Sequence, residues 1–155
     1  MIIPVYPISV NYRFLFICTG NFYRSRFAEA VFNHYAKLDQ IPWTAFSRGL
    51  AIHLADGTLS TFTSEALYAR KIDLHHTSPD RVQLRESDLE QSDRRIALDG
   101  CEHFPMIQAQ FPHWVKKIEY WNVPDMPYRS AARALPEIER KVLQLINELS
   151  KSTVQ

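Results

Sequence analysis

One run of eight residues near the start of the chain carries the residue types needed for nucleophilic chemistry on an anion. It reads Cys18-Thr19-Gly20-Asn21-Phe22-Tyr23-Arg24-Ser25. A cysteine thiolate is a nucleophile, and a planar guanidinium can bind two oxygens of a phosphate group at once. This spacing therefore favours attack on phosphorus by the Cys18 sulfur while Arg24 holds the phosphate oxygens.

The segment between Cys18 and Arg24 predicts a loop that surrounds the anion. Gly20 has no side chain where the backbone must turn, and Asn21 tolerates a left-handed conformation better than most residues. Successive backbone N–H groups then point at one phosphate. They belong to Thr19, Gly20, Asn21, Phe22, Tyr23 and Arg24.

Ser25 is predicted to begin the helix that follows this loop. The N-terminal end of a helix is positive and attracts anions. The Ser25 hydroxyl can also donate a hydrogen bond to the sulfur of Cys18. These donors stabilise a thiolate, which is the nucleophilic form of the cysteine.

Four short apolar runs predict buried β-strands that alternate with helices. The runs are residues 12–17, 43–46, 96–98 and 117–121. Helical spacing begins at Ser25 and returns over 59–69 and 136–149, and 106–111 are expected to finish a short helix. The alternation predicts an α/β fold with three layers, in which helices cover both faces of a four-stranded parallel sheet.

Several details of this fold follow from single residues. Pro136 is expected as the first residue of the last helix, where its missing N–H has no effect. Within 59–69, Phe62, Ala66 and Ala69 are expected to share one side of the helix. Ligands bind beyond the carboxyl ends of parallel strands, and the polar residues predicted just past such ends are Cys18, Ser47, Asp99 and Asp125.

Length and charge limit the classes of protein. The 155 residues fit a single domain spanning 1–155, in which 1–10 form an extended N-terminal arm interrupted by Pro4 and Pro7. With 18 Lys and Arg against 17 Asp and Glu, the formal net charge is +1. This balance favours neither a nucleic acid nor a membrane as partner.

The cysteine count points to a reducing compartment, and the spacing of the histidines predicts no metal site in the protein. Cys18 and Cys101 are too few for a disulfide framework, which predicts a cytoplasmic location. Cys101 itself is expected to be buried or half-buried. No apolar stretch reaches the roughly 20 residues of a membrane helix. No metal-ligand spacing appears, and surface or packing positions are expected for His34, His103 and His113.

Together these residues resemble the low-molecular-weight protein tyrosine phosphatase family, which includes a branch of arsenate reductases. The family's loop pattern is Cys-x-Gly-Asn-x-Cys-Arg-Ser, and five positions match it: Cys18, Gly20, Asn21, Arg24 and Ser25. The similarity continues over 27–30, 47–49, 71–76, Asp99 and 123–128. It implies the phosphotyrosine phosphatase I-like fold, with flavodoxin-like winding.

The resemblance implies a phosphomonoester hydrolase that works through a cysteinyl-phosphate, without metal or cofactor. Cys18 would be the nucleophile, Arg24 would hold the phosphate oxygens, and Asp125 would be the general acid and base. By family position Tyr128 would face the substrate. Supporting hydrogen bonds would come from Asn21, Ser47 and His76, and the pocket wall from Phe22 and His53. The substrate would be a phosphorylated protein or a small phosphate ester; the oligomeric state stays open.

The chain departs from the family pattern at four positions. Tyr23 stands at the second loop cysteine, so no disulfide can protect Cys18 within the loop. Arg26 replaces a proline and Arg48 a small residue, which would either make the rim of the site more positive or leave two solvated arginines without a role. Met126 follows Asp125 and alters the acid loop.

Two other functions use the same loop. An arsenate reductase would attack an arsenic oxyanion with the same thiolate and would need an external thiol donor, because Cys101 is the only other cysteine. A non-catalytic domain would bind phosphorylated ligands without turnover.

Overall fold

The structure is a computed structural model that describes residues 11–153. The arm expected for residues 1–10 lies outside the described residues. The strands are β1 (Tyr12–Cys18), β2 (Trp43–Gly49), β3 (Arg94–Ala97) and β4 (Glu119–Tyr120). They form a four-stranded parallel sheet in the order β2-β1-β3-β4. This confirms the predicted α/β fold class.

Within residues 11–153, five α-helices cover the sheet. They are α1 (Arg24–Leu38), α2 (Thr61–Ala69), α3 (Glu86–Gln91), α4 (Gly100–Gln110) and α5 (Ala131–Thr153). Alternate side chains of β1 enter opposite layers. Phe14 and Phe16 pack in the cluster that contains α1 and α5, whereas Leu15 and Ile17 pack in the cluster that contains α3 and α4. Burial on both faces explains why β1 reads as a continuous apolar run.

The order of the strands places the loop after β1 at the ligand-binding edge. β1 pairs with β2 on one side and with β3 on the other, so the winding changes direction at β1. Crevices form beyond the carboxyl ends of strands at such a point. Cys18 is the last residue of β1, and α1 begins at Arg24. Among residues 11–153, no helix is long and apolar enough to cross a bilayer.

Several predicted boundaries are wrong. α4 runs from Gly100 to Gln110 and carries Pro105 on its exposed side, and the helical segment predicted at 106–111 forms its end. β4 is limited to two residues, because a 3-10 turn forms at Val115–Lys117. Helix α3 was not predicted from the sequence. In α2 the buried residues are Thr63 and Leu67, whereas Phe62 is exposed.

The last helix also begins earlier than predicted, at Ala131, and contains Pro136 in its interior. The preceding turn buries Ala131, Ala134 and Leu135. Burial of these side chains outweighs the loss of the Pro136 N–H and its hydrogen bond. The Pro136 ring itself is exposed.

Pro136→Ala should therefore raise the free energy of unfolding by roughly 1–3 kcal/mol, because it restores a helical N–H and removes no packing. Urea denaturation measures the change. Gln144→Ala, an exposed change in the same helix, should stay within about 0.5 kcal/mol of the wild type. A Pro136→Ala protein no more stable than the wild type would contradict this account of the helix start.

Candidate active site

The sulfur of Cys18 is held by two polar groups at the end of β1. The backbone N–H of Asn21 donates to Sγ at 3.3 Å, and Ser25 Oγ lies 2.9 Å from Sγ. Cys18 is 2% exposed, and it lines a cavity that opens over the loop. A thiol that has polar hydrogen-bond partners and lines a cavity can meet a ligand, whereas a cysteine that only fills a core cannot.

The direction of the hydrogen bonds around Cys18 follows from one backbone group. The N–H of Val82 donates to Asn21 Oδ1 at 2.8 Å, so Nδ2 is the end of the amide that faces the loop. Nδ2 donates to Ser25 Oγ at 3.0 Å and to Ser47 Oγ at 2.9 Å. Since the Ser25 oxygen accepts from Asn21, its own hydrogen is left to donate to the Cys18 sulfur.

A buried carboxylate lies behind this network. Glu29 is 4% exposed and accepts hydrogen bonds from Ser47 Oγ at 2.8 Å and Thr77 Oγ1 at 2.7 Å. Burial raises the pKa of Glu29, against the opposing effect of these two hydrogen bonds. Because Ser47 donates to Glu29, its oxygen is free to accept from Asn21. The network therefore continues without a break from Glu29 to Cys18.

The expected positive rim is not formed. Arg26 is 1% exposed and points inward, where Nε donates to Thr77 Oγ1 at 2.7 Å and lies 3.9 Å from Glu29 Oε1. Arg48 pairs with Asp88 at 3.1 Å. The expectation is wrong because both guanidinium groups have carboxylate partners within the protein, and a buried charge needs such a partner.

Arg26 also joins three segments of the chain. Its Nη1 donates to the carbonyl of Thr58 at 2.9 Å and to that of Asn21 at 3.3 Å, and its Nη2 donates to the carbonyl of Ser78. One of these carbonyls lies in the phosphate loop itself. Arg26 thus ties the loop to the segments that flank it in space.

Arg24 lies beside Cys18 and is 2% exposed. Its Nη1 donates to Glu102 Oε1 and to the Val123 carbonyl, both at 3.0 Å, and its Nη2 donates to Glu102 Oε2 at 2.8 Å. Asp125 Oδ2 lies 3.5 Å from Nη2. Desolvation opposes the charge, but the hydrogen bond to Glu102 and nearby acidic groups outweigh it and raise the pKa of Arg24.

Glu102 and His103 are site residues that the sequence analysis missed. Thr19 Oγ1 donates to Glu102 Oε2, and His103 Nε2 lies 3.1 Å from the same oxygen. The Asp99 backbone N–H donates to His103 Nδ1 at 3.0 Å, so the hydrogen of a neutral ring is on Nε2. Burial alone would raise the pKa of Glu102, but hydrogen bonds from His103 and Arg24 hold it well below its usual range.

The signal that could have found these two residues is their position directly after a strand. The sequence predicted only the end of this helix, at 106–111, which left 102 and 103 without a place at the edge of the sheet. His103 was expected at the surface or in packing, and it is fully buried. Cys101, expected to be buried or half-buried, is exposed. A residue in the first turn of α4 either faces the loop or faces solvent, and Cys101 does the latter.

The cavity over the loop has a volume of about 490 Å³. Cys18, Thr19 and Arg24 belong to its lining, as do the loop residues Gly20, Phe22 and Tyr23. Apolar wall is added by Leu54 and Met126, and carboxylates by Asp56 and Asp125. The cavity thus joins a polar floor to a partly apolar wall.

Three predicted residues lie away from this cavity. Tyr128 is 87% exposed and lines an adjoining cleft that shares Asp125 and Met126 with the cavity. His53 is exposed and does not line the cavity. The His76 ring packs against His75 at a tilt of 39°, with centroids 4.0 Å apart, instead of reaching the Asn21 network. The neighbouring Thr77 reaches Glu29 in its place.

The family comparison agrees with this geometry. Residues 13–155 match the model of the low molecular weight phosphotyrosine protein phosphatases. The chain belongs to this family. The match confirms the resemblance inferred from the phosphatase loop. No group of three or more His, Cys, Asp or Glu side chains that could hold a metal ion occurs within the described part of this phosphatase-family chain.

Individual relatives add detail. The protein-arginine-phosphatase of Bacillus subtilis (strain 168) is 31% identical over 104 residues, which cover 67% of this chain and 66% of the relative, just under two thirds of its length. A low molecular weight protein tyrosine phosphatase structure from T. tengcongensis is 26% identical, with a TM-score of 0.73 over 92% of this chain and 99% of that one. The structure of YfkJ from Bacillus subtilis, at 24% identity, gives a TM-score of 0.80 over 93% and 98%.

Tyr23, which replaces the second loop cysteine, has a buried hydroxyl. The residue is 6% exposed, and its hydroxyl oxygen has no hydrogen-bond partner within residues 11–153. Desolvation and the Asp125 carboxylate raise the pKa of Tyr23 to about 12. The phenol therefore stays protonated near neutral pH.

Tyr23→Phe should raise the free energy of unfolding by about 1 kcal/mol, because it removes a buried donor that has no acceptor. Tyr120→Phe is the matched control, since the Tyr120 hydroxyl donates to the Val115 carbonyl at 2.7 Å. That change should lower stability by about 1 kcal/mol. Urea denaturation of both variants measures whether each change raises or lowers the free energy of unfolding. A loss of stability in Tyr23→Phe would show that its hydroxyl has a partner.

Proposed function

We propose that this phosphatase-family protein hydrolyses phosphate monoesters through a cysteinyl-phosphate, acting in the cytoplasm on phosphorylated proteins or small phosphate esters. The observation that carries the proposal is the Cys18 sulfur at the cavity, with the Asn21 N–H and the Ser25 hydroxyl directed at it. Donors aimed at sulfur favour the thiolate, which is the nucleophile.

In the first step the Cys18 thiolate attacks phosphorus, forming the S–P bond as the bond to the leaving oxygen breaks. Charge on the equatorial oxygens is stabilised by the loop N–H groups and by Arg24. Asp125 donates its proton to the leaving oxygen. The products are the released alcohol and a phosphorylated cysteine.

In the second step water attacks the phosphorus of the cysteinyl-phosphate. Asp125, now ionised, takes a proton from this water. The S–P bond breaks, inorganic phosphate leaves, and the electron pair returns to the Cys18 sulfur. The Ser25 hydroxyl again donates to the thiolate that forms.

Asp125 is assigned as the acid on the basis of its place at the rim. Its side chain is 45% exposed, and Oδ2 lies 3.5 Å from Arg24 Nη2. The backbone N–H of Met126 donates to Oδ1 at 2.8 Å, which leaves Oδ2 to carry the transferred proton. The Met126 backbone N–H therefore helps to orient the carboxylate of Asp125.

The wall of the cavity suits an aryl phosphate, because Phe22, Leu54 and Met126 offer apolar surface to a ring. Phosphoarginine is a second candidate substrate. The carboxylates of Asp56 and Asp125 line the same cavity and complement a guanidinium, and the curated relative is named as a protein-arginine-phosphatase. Matched peptides carrying phosphotyrosine or phosphoarginine separate the two.

Steady-state hydrolysis of chromogenic aryl phosphates tests the roles of Cys18 and Asp125. Cys18→Ser should have no measurable activity, because the hydroxyl is not ionised at neutral pH. Asp125→Asn should lose about 10²- to 10⁴-fold in kcat/KM, which reports formation of the cysteinyl-phosphate, with poor leaving groups, and much less with good ones that need no protonation. Leu143→Ala, an exposed change on α5, serves as the control.

Activity that persists in Cys18→Ser would remove the nucleophile and the proposal with it. The same assay separates the two alternative functions from the sequence analysis. Arsenate-dependent consumption of an added thiol, without hydrolysis of any phosphate ester, would indicate an arsenate reductase. Tight phosphate binding without turnover, unchanged in Asp125→Asn, would indicate a binding domain.

A further inference from the structure

The guanidinium of Arg24 is held on one edge by a carboxylate from a distant part of the chain. Glu102 lies in the first turn of α4, after β3, and accepts from both terminal nitrogens of Arg24, at 3.0 and 2.8 Å. Such a two-point contact fixes the plane of a guanidinium as well as its position. A single hydrogen bond would leave the plane free to turn.

Counting the five N–H donors of Arg24 shows which ones remain for a ligand. Glu102 and the Val123 carbonyl occupy both hydrogens of Nη1, and Glu102 occupies one hydrogen of Nη2. Within residues 11–153 the Nε–H has no hydrogen-bond partner, and the second Nη2 hydrogen has only Asp125 at 3.5 Å. Nε and Nη2 form the other edge of the fork, which matches two phosphate oxygens.

Glu102 is itself held in place. Its Oε2 accepts from Thr19 Oγ1 and lies 3.1 Å from His103 Nε2. The His103 ring is fully buried, and its Nδ1 accepts from the Asp99 backbone N–H. A chain of hydrogen bonds therefore connects the backbone at the end of β3 to the guanidinium beside Cys18.

We propose that Glu102 is a positioning residue, which turns Arg24 so that its Nε and Nη2 edge faces the transferred phosphoryl group. Glu102 does not touch the reacting atoms. Its carboxylate also offsets the single positive charge of Arg24, so it does not strengthen attraction for a phosphate in the ground state. Its benefit therefore lies in the transition state, where the equatorial oxygens need donors at fixed angles.

This inference rests on the proposed function and is tested with Glu102→Ala, Glu102→Asp and Glu102→Gln. Hydrolysis of an aryl phosphate with a good leaving group gives kcat and KM. Inhibition by orthovanadate, which imitates the five-coordinate transition state, is compared with inhibition by orthophosphate. Glu139→Ala is the matched control, because its carboxylate is 23% exposed against 26% for Glu102 and pairs with Arg70 at 2.8 Å.

Glu102→Ala should lower kcat about 10- to 100-fold, with a much smaller change in KM. Vanadate inhibition should weaken about tenfold or more, while phosphate inhibition changes less than about threefold. Glu102→Gln should not restore kcat, because an amide can accept from one nitrogen of Arg24 but presents N–H groups to the other. Glu102→Asp keeps both oxygens and should restore part of kcat. Glu139→Ala should match the wild type.

Two results would overturn the role of Glu102. In one, Glu102→Ala keeps kcat and the ratio of vanadate to phosphate inhibition within about twofold of the wild type. In the other, it lowers Tm while kcat per folded molecule stays unchanged, as a purely structural residue would. A wild type without hydrolytic activity would instead remove the proposed function. In that case vanadate and phosphate binding to the unreactive protein, measured by calorimetry, still reports whether Glu102 positions Arg24.

Discussion

The fixed orientation of the Asn21 side-chain amide is the interaction on which the rest of the site depends. Val82 holds its oxygen, so its nitrogen must donate to Ser25 and Ser47. Asn21 itself has a φ of 50°, in the left-handed region where its backbone N–H can reach Cys18. If the Asn21 amide were reversed, its Oδ1 would face the hydroxyls of Ser25 and Ser47. Ser25 would then no longer accept from Asn21, and its hydrogen would no longer be directed to the Cys18 sulfur.

Two arginines only two positions apart serve this loop in opposite ways. Arg24 presents its free edge to the cavity, whereas Arg26 is buried against Glu29, Thr77 and backbone carbonyls. A buried ion pair adds little net stability, because desolvation offsets most of the attraction. Its effect here is to hold the loop backbone and the carboxylate that ends the Asn21 network. Attraction for the phosphate therefore comes from the loop amides and Arg24, and the net charge of +1 plays no part.

The sequence predicts best what is local in the chain. Cys18 ends a strand whose burial on both faces makes its apolar run continuous, and Arg24 and Ser25 begin the helix that follows the loop. Glu102 escapes prediction because it meets Arg24 across 78 positions of sequence, and no spacing rule connects the two. The burial of Arg26 is also hidden, since an arginine after a helix start is usually solvated. His76 and Thr77 are neighbours, and only the backbone conformation decides which of them reaches Glu29.

Formation of a phosphorylated Cys18 is the central chemical claim, and trapping that species tests it most directly. Asp125→Asn slows both steps, so rapid quenching of this variant with a phosphate-labelled aryl phosphate, followed by peptide mapping, should reveal the intermediate. The account predicts label on the peptide that contains Cys18, rising and falling at rates that match turnover. Label on another residue, or turnover with no labelled peptide at any time, would contradict it.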